Sequence, residues 1–91
     1  MADTVSTNAT DAWDASNRIA AVAESDVIME AKGEGATFYA IMDSTSLPSI
    51  KVDEGFDVPK IASSIRLKAG EYILFATLSG TSTVTTYTAG A

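Results

Sequence analysis

From Asp26 onward the chain alternates with the period of two that marks β-strands. Val27, Met29 and Ala31 alternate with Ile28, Glu30 and Lys32, and Gly33-Glu34-Gly35 supplies residues that tolerate positive φ. Ala36 to Met42 then resumes with β-formers, which predicts a hairpin. In its second strand Phe38, Ala40 and Met42 share one face and Thr37, Tyr39 and Ile41 the other, so neither side is truly polar. A second group of runs lies in Ile65 to Thr88. Ile65 and Leu67 face one way, Arg66 and Lys68 the other. Ala69-Gly70 turns the chain into Glu71 to Leu78, and Ser79-Gly80 turns it into the threonine and valine alternation of Thr81 to Thr88. The three runs predict a meander around Glu71 to Leu78. That central run puts Tyr72, Leu74, Ala76 and Leu78 on one face and Ile73, Phe75 and Thr77 on the other. Both faces need cover, which places it in the middle of a sandwich or at a subunit interface. The hydroxyl-rich last strand suits an outer or edge position, and Ala89 to Ala91 reads as a loose tail.

Three stretches break the pattern. Residues 1–14 are mostly Ala, Ser, Thr, Asn and Asp, with Val5 and Trp13 the large apolar residues after Met1. Such a composition buries too little surface to offset its ordering entropy, so the segment reads as a flexible arm ahead of one domain over 15–91. Trp13 would anchor the arm on a partner, since tryptophan is enriched among interface hot spots. Removing residues 1–13 would then weaken attachment and leave the melting temperature largely unchanged. For residues 15–24 a short helix capped by Ser16 and an opening strand over Asn17 to Glu24 both stay open, with the strand preferred. Residues 43–61 hold both prolines, Pro48 and Pro59, and the acidic group Asp53, Glu54 and Asp57 around Gly55 and Phe56. A long irregular excursion with at most a short strand near Ile50 to Val52 follows. Long loops in compact domains are more often functional than idle, so Phe56, Asp53, Glu54 and Asp57 join Trp13 as candidate partner contacts. The spacing of the three acids does not match an EF-hand loop, which argues against calcium there.

Composition narrows the chemistry. At 91 residues the chain is one domain, with no cysteine and no histidine. A disulfide, a thiolate metal site and a Ser-His or Cys-His nucleophilic pair are all excluded, and the expectation is of no catalysis, no cofactor and no metal. A net charge of −6 and pI ≈ 4.2 speak against nucleic acid and anionic membrane as partners, since both need a basic footprint. The longest uninterrupted apolar run, Tyr72 to Ala76, is far short of a membrane span, and Met1 leads into no basic and apolar leader, so synthesis in a cytoplasm is expected.

The turn residues carry a resemblance. Leu67-Lys68-Ala69-Gly70-Glu71 ahead of a strand, and Ser79-Gly80-Thr81-Ser82-Thr83-Val84 opening the last one, resemble turns in small virion proteins of tailed bacteriophages, after a hairpin that ends in Ala36-Thr37-Phe38-Tyr39. The likeness covers about the C-terminal two-thirds of the chain, and residues 43–61 are outside it. It implies a capsid decoration or cement protein on the virion surface, acting by contact with the major capsid protein or another virion protein. It also implies a homo-oligomer, for which a trimer is the working expectation. The expected fold is all-β, a small antiparallel β-sandwich or β-barrel-like domain with an extended polar N-terminal arm. A tail or head-fibre adaptor, or a carbohydrate-binding sandwich presenting Tyr39, Tyr72 or Tyr87, are the alternatives.

Overall fold

The computed structural model describes the backbone of residues 3–9, 11–33, 36–78, 80 and 82–89, with side chains in these apart from 3–9, 16 and 87–89. Expectations that rest on Glu34, Gly35, Ser79, the Tyr87 side chain or residues 90–91 lie outside the described residues.

The strands are β1 (Asp3–Ala9), β2 (Ile19–Ala20), β3 (Ser25–Lys32), β4 (Thr37–Met42), β5 (Phe56–Asp57), β6 (Ser63–Leu67), β7 (Tyr72–Thr77) and β8 (Ser82–Ala89). They form two four-stranded antiparallel sheets, A in the order β1-β8-β3-β6 and B in the order β2-β7-β4-β5. The expected all-β sandwich is thus the observed architecture. Its pairs are nested: β1 with β8, β2 with β7, β3 with β6 and β4 with β5. The chain is one long antiparallel ribbon, folded back at residues 43–55 and rolled so that its strands fall alternately into two sheets. This is jelly-roll topology.

The rolled ribbon corrects the expected connectivity. β3 and β4 do not form a hairpin, because β3 pairs with β6 and β8 while β4 pairs with β5 and β7. The meander is absent too: β6 and β8 lie in sheet A and β7 in sheet B. A tight turn dictates only that the chain reverses. It does not choose between pairing beside the previous strand and crossing to the facing sheet. The turns themselves are built as their residues require. Gly70 has φ +88 and Gly80 φ +72, and the Glu71 carboxylate accepts the Lys68 backbone N–H at 2.6 Å. Gly70 with Glu71, and Gly80, therefore have a local job in turn geometry.

Side-chain alternation follows the expected faces. In sheet A, Val27, Met29, Ala31, Leu67 and Val84 are buried, and in sheet B, Ile73 and Phe75 meet them, with Tyr39, Ile41 and Ile65 packed at the margin. Arg66 points outward to Glu24 and Asp26, each at 3.1 Å. The sheets are also joined by a polar contact: the Thr37 hydroxyl donates to Ser82 Oγ at 3.0 Å, and within sheet A the Ser82 hydroxyl donates to the Lys32 carbonyl at 2.8 Å.

Two N-terminal expectations change. Residues 3–9, expected within a flexible arm, are β1, in register with β8 from Asp3↔Thr88 to Ala9↔Ser82. Strand addition of this kind uses the backbone, so a polar composition does not forbid it. β8 is consequently central in sheet A rather than at its edge, and it runs to Ala89, which pairs with Asp26. The expectation that removing residues 1–13 spares stability is replaced. Deleting residues 1–9 uncovers one edge of β8 and should lower the melting temperature by at least roughly 5 °C, read by circular dichroism. An unchanged midpoint would show that β1 adds nothing. Residues 15–24 hold a single 3-10 turn, Ala15–Asn17, and the two-residue β2, so neither a helix nor a full strand forms there.

Candidate docking site

β4 is the element that builds the site, because it is longer than its outer neighbour. It pairs with β7 over all six of its residues but with β5 only at Phe38↔Asp57 and Tyr39↔Phe56. In an antiparallel strand, successive residues aim their N–H and C=O to opposite sides. The Val58 N–H bonds the Thr37 carbonyl at 2.8 Å, so Thr37, and with it Tyr39 and Ile41, faces β5 rather than β7. The β7 side agrees, since the Phe75 backbone, opposite Tyr39, turns away to Asn17. Beyond Tyr39 no β5 residue remains. The N–H and C=O of Ile41 therefore face outward at an open strand edge, with no partner among the described residues.

That edge borders an apolar cleft of about 250 Å³. Residues 39–42 form one wall, Pro48, Ser49 and Ile50 the other, and Phe56 closes one end. The Phe56 ring sits 5.3 Å from that of Tyr39, yet Phe56 remains 64% exposed. Leu47 and Ile50 nearby are also exposed, so the cleft lies within a larger apolar patch. Burial raises the Tyr39 phenol above its ordinary value of 10, which keeps it neutral across the physiological range.

Trp13 holds the far wall in place. Its indole N–H donates to the Ile50 carbonyl at 3.0 Å, and its ring lies so near Gly55 that an added Cβ there would come within 3.0 Å of it and 2.8 Å of the Tyr39 carbonyl. Trp13, expected as the anchor of an arm, is instead half-buried against its own chain. Together with Arg18, which donates to the Thr45 carbonyl at 2.8 Å and lies 5.3 Å over the Tyr72 ring, it ties residues 11–18 to the 43–55 excursion. Phe38 and Tyr72 share the outer face of sheet B with Leu74 and Ala76, both fully buried. The second apolar face of β7 is thus covered from within the chain.

The acidic candidates divide. Glu54 turns back to accept the Lys51 N–H at 2.8 Å, capping the 3-10 turn Val52–Glu54, while Asp53 and Asp57 are exposed on either side of Phe56. Among the described residues no three Asp, Glu or His side chains gather as a metal site. The two described candidate tyrosines lie on opposite faces of sheet B, Tyr39 in the cleft and Tyr72 under Arg18, and so make no common platform. Ile41, Met42 and Ile50, read in the sequence as strand residues, were not expected as contacts. The available signal was Leu47 and Ile50, large apolar residues in a segment otherwise read as loop.

Compared with family models, curated proteins and solved structures, the chain matches none.

Proposed function

We propose that this chain is a structural protein of a bacteriophage virion, which decorates or cements the capsid exterior by protein–protein contact and performs no catalysis. The observation that carries the reading is the apolar cleft with its exposed Leu47, Ile50 and Phe56, a surface made for contact rather than for proton transfer or nucleophilic attack. Two associations support it. Jelly rolls serve widely as viral capsid domains, although a fold by itself assigns no function, and the turn motifs at Leu67 to Glu71 and Ser79 to Val84 resemble those of small phage virion proteins. An acidic protein also stays soluble and apart from nucleic acid before it finds its assembly. The partner in this reading is the major capsid protein or another virion protein.

A sugar-binding module fits the cleft less well. Saccharides call for several convergent polar groups, and the cleft side chains offer the Tyr39 and Ser49 hydroxyls. Co-sedimentation with purified shells of the source phage tests the proposal. The protein should pellet with the shells and saturate at a fixed ratio to the capsid subunit. A protein that stays in the supernatant at every concentration would overturn the reading.

A further inference from the structure

We infer that the open edge of β4 at Ile41 receives an extended segment of a partner protein, which adds as a strand to sheet B, places a large apolar side chain in the cleft and carries lysine or arginine beside it. This deepens the reading of the chain as a docking protein, on which it rests.

Three features converge on that occupant. First, Ile41 offers a backbone donor and acceptor on the same side, the pair that a further strand engages. β5 already runs along this edge and stops after Asp57↔Phe38 and Phe56↔Tyr39, so an added segment would continue an existing line of pairing. Second, the cleft opens beside that edge, where alternate side chains of an added strand would enter it. Its far wall is held by the Trp13 to Ile50 hydrogen bond, so the receiving shape is formed before binding. Third, the surrounding charge selects the partner. Asp43, Asp53, Glu54 and Asp57 are exposed on the segments that frame the cleft, against Lys51 alone within 43–57. A second copy of this chain, at net charge −6, would bring like charge to that rim, whereas a basic, apolar segment complements it.

The test uses the full chain labelled with nitrogen-15 and a capped eight-residue peptide that alternates leucine with lysine. In the free protein the Ile41 amide should exchange with solvent at least roughly tenfold faster than that of Ala40, whose N–H is bonded to β7. The peptide, at on the order of 1 mM, should slow Ile41 exchange about tenfold and move the resonances of residues 40–42, 49, 50 and 56. Phe56→Ser, at an exposed position, should weaken the effect several-fold. A leucine–glutamate peptide, and the leucine–lysine peptide N-methylated at alternate residues, should both fail. An Ile41 amide already protected in the free monomer, shifts centred elsewhere, or equal binding of the glutamate peptide would overturn the inference. So would Ile41 protection that grows with protein concentration alone, which would assign the edge to a second copy. The outcomes separate from those of the shell experiment. Peptide binding without shell binding removes the capsid reading and keeps strand addition, while shell binding without any peptide effect does the reverse.

Discussion

Phe75→Ala should cost roughly 3–5 kcal/mol of unfolding free energy, the range for truncating a buried aromatic ring. Phe75 is fully buried at the centre of the sandwich, between the neighbours of β7 and the facing Val27, Met29 and Val84 of sheet A. Its ring leaves a cavity that strands paired on both sides cannot close, since β7 is held by β4 along its length and by β2 and Asn17 opposite. Domains have total stabilities of roughly 5–15 kcal/mol, so the variant would lose much of its margin. Urea unfolding should show the lower midpoint with an unchanged slope. A loss below about 1 kcal/mol would mean that the two sheets do not meet at this residue.

Asn17→Ala should cost about 2–4 kcal/mol, a large effect for a residue in a polar, irregular stretch. β2 covers the edge of β7 only at Ile19↔Ile73 and Ala20↔Tyr72. At the next outward-facing position the Asn17 amide takes over: its Nδ2 donates to the Phe75 carbonyl at 2.8 Å and its Oδ1 accepts the Phe75 N–H at 3.1 Å. A side chain thus stands in for a missing strand residue. Alanine would strand a buried donor and a buried acceptor together. Asn17→Asp separates hydrogen bonding from size. Its carboxylate still accepts from Phe75 N–H but faces the Phe75 carbonyl with a charge, and burial raises the carboxyl pKa in the folded state. A raised folded pKa means stability that is present at low pH and lost as pH rises through that value, so the deficit of Asn17→Asp against the wild type should shrink on acidification. A pH-independent deficit would contradict the pairing.

The same residues show what one chain can and cannot say. The alternation of β3 was legible because it buries one row of side chains against the other sheet, and Arg66 was legible because a charge on the buried row of β6 would have had no partner. Pairing was not. Four-residue connections such as 33–36 and 68–71 look the same whether the chain turns beside itself or crosses the sandwich. The excursion 43–55, read as an interruption, is the tip of the ribbon that decides the whole strand order. β1 was missed because an edge strand is held by backbone bonds, to which side-chain composition is nearly silent. Residues 11–18 were missed for a related reason: Trp13, Asn17 and Arg18 act singly, each through a hydrogen bond to a carbonyl remote in sequence.

A β7 apolar on both faces suggested a subunit interface, but its outer face is buried by the chain itself. Large apolar side chains remain exposed beside β4 at Leu47, Ile50 and Phe56, and elsewhere at Val22, Ile61 and Leu78. Of the residues expected as contacts, Phe56 is exposed beside the cleft with Asp53 and Asp57 exposed near it, whereas Trp13 and Glu54 bond the 43–55 excursion.

The proposed capsid role is tested most directly by a density map of virions of a phage that encodes this chain, with the protein fitted into it. The protein should lie on the outer shell, with the cleft between residues 39–42 and 48–50 turned toward a capsid subunit and Ile41 paired with a strand of that subunit. A protein absent from the virion, or seated on the shell with the β4 edge facing solvent, would contradict it.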